Sequence, residues 1–293
     1  MKVADLVPAY IDSKISYCAA PSIVYYRDAL ALFVMYLDSA AVHDVQQLTP
    51  AVLRDYAFYL RDSRGIKATS IHTYFRAVNA FIRWLIDEGY IKEFRYRVKL
   101  PRQNPELVLP LTGDEVQELC AAIMEFSMFP LRDMIIFRLM LDCGCRSSEV
   151  RHLRRCDADL KNRILKIKDT KFNKSRLLPM PEVLFTLLQL YISEHPGTAA
   201  GFLLESKSGE PLTANSVKQF FGKLKKRSRI RRVHAHLLRH TFATSYMMQH
   251  NNIEYLRIYL GHESYQVTQG YVHLASQCLL TRYDVYPIDS CFL

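Results

Sequence analysis

Between Tyr96 and Leu111 the chain carries three prolines, Pro101, Pro105 and Pro110, among Arg97, Lys99 and Arg102, with Arg95 just before them. Proline removes a backbone donor and fixes φ, so neither a helix nor a central strand can run through this stretch. A basic, extended linker is expected over 96–111. It splits the 293 residues into two lengths that each suit one core, 1–95 and 112–293.

The first part reads as helical throughout. From Ser22 to Leu37, Ile23, Tyr26, Leu30, Phe33, Val34 and Leu37 recur three and four apart, one apolar stripe on a helix. Thr49 followed by Pro50 is an N-cap with proline at the first helical position, and Leu53, Tyr56, Ala57 and Leu60 continue the stripe behind it. Thr69 to Asp87 repeats the pattern with Ile71, Tyr74, Val78, Phe81, Ile82 and Leu85, and Gly89 ends it. On this last helix Thr69, Ser70, His72, Thr73 and Arg76 form a polar face; such short groups suit contacts to a nucleic-acid groove or backbone, and a plain solvated face is the competing reading.

In the second part Thr112 to Glu115 makes a capping box that opens a helix. The pattern stays helical except where Arg163–Lys168 and the segment around Arg176–Pro179 alternate polar and apolar, with a polar turn at Lys171–Ser175 between them. The expected fold class is mainly α: an N-terminal helical bundle, then an α+β domain with a small antiparallel hairpin or sheet.

Lys and Arg outnumber Asp and Glu by 39 to 29, a formal charge of +10. A polyanion is the expected partner, nucleic acid before an acidic membrane surface. The apolar runs are too short to span a bilayer, and the N-terminus lacks a signal-peptide core. The seven cysteines, an odd number without a Cys-x-x-Cys pair, read as reduced thiols of a cytoplasmic protein. Cys143, Cys145 and Cys156 lack the usual metal-ligand spacings.

Five residues in the second part make a set suited to a phosphodiester. Arg146 and Arg239 offer planar, always-ionised forks that match two non-bridging oxygens. His236 and His262 titrate near neutrality and can exchange protons with reacting oxygens. Tyr271 supplies a phenolic nucleophile, provided a base or a cationic pocket removes its proton. Glu149, one turn after Arg146, is a plausible orienting partner. His236 and His240 share a helix face, which suits a metal, but no His-Glu-x-x-His pattern or third ligand accompanies them, and neither metal nor cofactor is expected. The departing oxygen needs a proton donor, for which Lys171 and Lys174 at the hairpin tip are both candidates. The run Lys223–Arg232, with Lys225, Arg227 and Arg231, borders His236 and suits phosphate contacts.

In these motifs the chain resembles the tyrosine recombinases, the phage-integrase superfamily, over nearly its whole length. His236-Leu237-Leu238-Arg239-His240 resembles that family's histidine–arginine box; Leu260-Gly261-His262 and Gly270-Tyr271 resemble its final histidine and tyrosine. The resemblance implies a SAM-like core-binding domain followed by a catalytic domain. It gives Arg146, Lys171, His236, Arg239, His262 and Tyr271 the six active-site roles, with a 3′-phosphotyrosyl intermediate and no metal or ATP. It implies double-stranded DNA with inverted-repeat sites as substrate, a homotetramer on DNA and accessory proteins that set direction, in the cytoplasm and on the nucleoid when bound. The compact layout resembles the Xer-type or transposon-borne members. Two departures stand out: Cys143-Gly144-Cys145-Arg146 where Thr-Gly-Leu-Arg is usual, and Thr170-Lys171-Phe172 without flanking glycines. In this family a C-terminal segment docks on a neighbouring subunit, and Leu274, Leu279, Leu280, Tyr283, Val285, Tyr286 and Phe292 are expected to do so, packing on their own domain being the alternative. The rival functions are a DNA-binding protein of the same fold that does not cut, and a type IB topoisomerase-like relaxing enzyme.

Overall fold

The computed structural model describes residues 1–94, 96–102, 108–169, 174–198, 201–289 and 291, with backbone alone at 169 and 174. The chain forms two compact units, Met1–Glu106 and Leu107–Leu293.

The N-terminal unit consists of α1 (Val3–Ile15), α2 (Ala20–Ser39), α3 (Pro50–Phe58), which runs on into a π-turn over Tyr59–Ser63, and α4 (Ala68–Asp87). The Thr49 hydroxyl accepts from the Val52 amide, as an N-cap should. The apolar stripes meet in a core in which Tyr10, Phe33, Tyr56, Phe75 and Phe81 are fully buried. Thr69, Ser70, Thr73 and Arg76 stay exposed on α4. The first residues of the expected linker are laid along this unit: Tyr96 donates to Asn79 Oδ1 at 2.9 Å, and His72 Nε2 lies 2.9 Å from the Pro101 carbonyl oxygen.

The second unit opens with the Thr112–Glu115 capping box on α5 (Gly113–Phe126). It continues through α6 (Pro130–Leu141), α7 (Ser147–His152), β1 (Ala158–Asp159), β2 (Ile164–Asp169), β3 (Lys174–Pro179), α8 (Glu182–Glu194), α9 (Ala214–Arg227), α10 (Ala235–His250), α11 (Ile253–Leu260) and α12 (Tyr265–Leu280). The two alternating segments pair antiparallel, Leu165 opposite Leu178 and Ile167 opposite Arg176, and the short β1 adds a third strand beside β2. Helices α6 and α10 run through the centre of the core; α6 is buried almost all round, from Met134 to Leu141.

The C-terminal segment packs on its own unit. The Tyr286 amide donates to the Leu111 carbonyl, the Ile288 amide to Ser245 Oγ, and the Tyr283 hydroxyl to the Pro110 carbonyl. The Tyr286 hydroxyl also joins Asp142 and Arg138, both nearly buried. Within this chain Val285 and Leu274 are buried, and hydrogen bonds to Asp142 and Arg138 hold Tyr286. Leu279 and Leu280 remain exposed, and Phe292 lies outside the described residues.

Candidate active site

The site is built where three turns of the second unit meet. After α6 the chain reverses through Gly144 at φ +62°; a Cβ there would sit 2.6 Å from the Phe242 ring and 3.0 Å from Leu260, so both the angle and the space demand glycine. Arg146 follows as the residue preceding α7, and its amide donates to Glu149 Oε2 at 2.7 Å. Its guanidinium donates to Glu149 Oε1 at 2.9 Å and to the Gly261 carbonyl at 3.1 Å. Arg239, on the first turns of α10 and only 2% exposed, donates to the Gly144 carbonyl at 2.6 Å and the Leu260 carbonyl at 2.7 Å. Each guanidinium is thus held by the main chain of a turn.

His262 stands just beyond the Gly261 turn that caps α11. Its Nε2 lies 2.9 Å from Arg239 Nη2 and its Nδ1 2.9 Å from Thr268 Oγ1. Arginine only donates, so Nε2 accepts, and Nδ1 carries the proton towards the buried Thr268 hydroxyl. Loss of hydration, then the charges of Arg239 and Arg146, push the His262 pKa down to about 3. It is neutral at pH 7 and well outside the near-neutral range expected from sequence. His236, on the cavity wall, is also lowered, by desolvation first and then by Arg239, His234 and Arg146. Burial leads in both shifts, and the two guanidiniums add to it.

Tyr271 projects from α12 with its ring near-parallel to His262 at 6.4 Å between centroids and 5.3 Å from His240. Burial raises its phenol pKa, while Arg239 and Arg146 pull the other way. Arg239 itself is lowered to about 10 by desolvation, then by Arg146. His240 Nε2 is 2.9 Å from the Val108 carbonyl oxygen. Among the described residues no three His, Cys, Asp or Glu side chains gather as a ligand set.

A cavity of about 640 Å³ opens beside these groups, with Arg146, His236 and Arg239 on one wall and Lys218, Phe221 and Lys225 of α9 on the other. Arg146, His236, Arg239, His262 and Tyr271 are therefore brought together, and Lys225 joins the cavity. Arg227 and Arg231 are exposed and are not among its lining residues; Arg231 donates to the Lys225 carbonyl, and Arg232 pairs with Glu115 at 2.7 Å. Lys171 lies outside the described residues, and of Lys174 the structure gives the backbone, opposite Asp169.

Sequence reasoning missed Arg176. It is buried on β3 and grips both Glu149 oxygens at 2.8 Å. Strand alternation carried the signal, since Arg176 shares a face with the buried Leu178 while Leu177 points outward, 60% exposed. Burial alone would raise the Glu149 carboxyl; the Arg176 hydrogen bonds and charge outweigh it and hold the group below its usual range.

A sequence profile of the phage integrase family matches residues 110–277, and one of the phage integrase N-terminal SAM-like domain matches residues 16–89. Tyrosine recombinase XerC of Listeria welshimeri is 27% identical over 284 residues, covering 94% of this chain and 93% of the relative. A tyrosine recombinase of Thermosipho africanus is 31% identical over 214 residues, 72% and 74% of the two chains. Among solved structures, the Tn1549 transposon integrase in complex with a circular intermediate DNA superposes with a TM-score of 0.80 at 19% identity, covering 96% of this chain and 99% of that one. A lambda integrase dimer bound to a core site gives 0.73 at 17%, covering 93% and 95%. The fold is shared at these low identities, and the sequence profiles span both units: the chain belongs to the phage integrase family of tyrosine recombinases.

Proposed function

We propose that this chain breaks and rejoins double-stranded DNA at specific sites, with Tyr271 as nucleophile and Arg146 and Arg239 as the grip on the scissile phosphate. The convergence of Arg146, Arg239 and His262 on two main-chain turns, with the Tyr271 ring 6.4 Å from that of His262, carries the reading. The Tyr271 oxygen attacks phosphorus as the bond to the 5′ oxygen breaks. The 5′ oxygen leaves as a hydroxyl after taking a proton from Lys171, Lys174 being the alternative donor, and the 3′ phosphate stays on Tyr271. A 5′ hydroxyl of another strand runs the step backwards and restores the phenol.

The structure supports a division of labour between the histidines. His236 is neutral at pH 7 and on the cavity wall, so it can take up the phenol proton. His262 has its Nε2 lone pair turned to Arg239 and therefore positions the phosphate and Arg239 rather than shuttling protons. Arginine forks fixed before DNA arrives stabilise the charge that develops on phosphorus without reorganising. Exposed Thr69, Ser70, Thr73 and Arg76 on α4, and Lys225, Arg227 and Arg231 on and after α9, are assigned to DNA contacts, with Lys174 if it is not the acid. The sites are inverted repeats, the active assembly is a homotetramer, and accessory proteins set direction, in the cytoplasm at the nucleoid.

A nicked duplex carrying flanking genomic sequence, incubated with protein and resolved under denaturing conditions, should yield a covalent protein–DNA adduct at residue 271. Tyr271→Phe should yield none. An adduct that persists in that variant, or never forms with the natural chain, overturns the assignment. Relaxation of plasmids lacking any site would favour the topoisomerase reading.

A further inference from the structure

Arg176 takes no part in the chemistry assigned above, yet it is bound more tightly into the site than Arg146 is. Its two terminal nitrogens each donate to a different Glu149 oxygen at 2.8 Å, and its Nε donates to the Tyr259 carbonyl at 2.6 Å. Its side chain is 7% exposed against 32% for Arg146. Glu149, itself 5% exposed, gives Arg146 only one side-chain hydrogen bond, the other contact being to the Arg146 amide.

We propose that Arg176 is a positioning residue for strand cleavage: by satisfying the buried Glu149 carboxylate, it limits Glu149 to a single side-chain bond on Arg146 and leaves that fork aimed at the phosphate. The proposal rests on the assignment of Arg146 to the scissile phosphate. A buried carboxylate must be paired. Without Arg176, each Glu149 oxygen keeps one partner among the described residues, Oε2 the Arg146 amide and Oε1 the Arg146 guanidinium, and Arg146 is the guanidinium within reach to complete the pairing. The fork-to-fork geometry that arginine prefers with carboxylates would then be spent on Glu149. The charge count points the same way. Arg146, Arg239 and Arg176 against Glu149 leave a surplus of two positive charges at the site, and removal of Arg176 halves it. Arg176 also ties β3, the strand that begins at Lys174, to the final turn of α11, which leads through Gly261 into His262. Lysine cannot replace it fully, since one ammonium does not make two parallel bonds and a third to Tyr259 in a fixed plane.

The test compares adduct formation by the full chain and by Arg176→Met, each on two nicked duplexes that differ only at the scissile position. One duplex carries the ordinary phosphodiester, the other an uncharged methylphosphonate, which makes little demand on a cationic fork. Arg176→Met should slow the phosphodiester reaction by about 10–100-fold, relative to the natural chain, and the methylphosphonate reaction by less than about threefold. Equal slowing on both duplexes would mean that Arg176 only holds the scaffold, and unchanged rates on both would mean that it does not matter; either overturns the proposal. Thermal melts of both proteins accompany the rates. Should Arg176→Met fail to fold, Arg176→Lys, which keeps the charge and loses the fork, is read by the same comparison. Failure of the natural chain to form an adduct on the phosphodiester overturns the Tyr271 assignment itself and the proposal with it, a result distinct from slowing confined to the variant.

Discussion

His262 shows how much a single side chain can report about its setting. Its folded pKa, about 3, lies far below the ordinary value near 6.5. Unfolded chains take up this proton as pH falls below about 6.5 while the folded chain does not, so the stability His262 permits is complete above that value and drains away towards pH 3. Between pH 6.5 and pH 5 the natural chain should lose about 2 kcal/mol more than His262→Gln. Urea unfolding at the two pH values measures the difference; equal losses would mean that the histidine is not held neutral. Bound DNA should shrink the effect, because a phosphate between Arg146 and Arg239 offsets the charges that depress the ring. Arg146, Arg239, His262 and Tyr271 were legible in the sequence because few other tasks need those residue types at those spacings. Arg176 was not, because a lone arginine in an alternating strand reads as solvated until the partner strand fixes which face is inward, and that partner is known only once Ile167 is seen opposite it.

At the level of elements, the capped helices followed their sequence signals closely, since Thr49 and Thr112 act locally. The stretch after α12 carries no such local signal. Tyr283, Val285 and Tyr286 suit an intermolecular anchor or packing at home alike, and within the chain Tyr286 is held by hydrogen bonds to Asp142 and Arg138, more than 140 residues away in sequence. Desolvation lifts Asp142 to about 6, against the pull of Arg138 and of the Tyr286 hydroxyl. Tyr286→Phe removes that hydroxyl from two nearly buried charged groups and should cost about 1–3 kcal/mol, measurable by chemical denaturation at neutral pH. A change within a few tenths would show that the network does not hold the segment. The same segment holds Pro110 through the Tyr283 hydroxyl and Leu111 through the Tyr286 amide, so the start of the second unit is fastened to the stretch after α12.

Across the whole molecule, a formal charge of +10 makes DNA binding an exchange of condensed counterions. If contacts are made to about 6–10 phosphates, affinity should fall by about 10³–10⁵ between 50 and 200 mM salt. Fluorescence anisotropy on a short duplex gives the slope, and a nearly flat dependence would contradict the assigned phosphate contacts. No described helix is long and apolar enough to cross a membrane. The guanidinium grips described above have an evolutionary consequence. The oxygens that aim Arg239 and one prong of Arg146 belong to the polypeptide itself, at residues 144, 260 and 261. Every amino acid supplies such an oxygen, so the neighbourhood can drift in composition while the aim persists, provided the bends keep their shape. Relatives that share under a third of their residues with this chain can therefore keep the same placement of guanidiniums, its walls rewritten and its hinges kept.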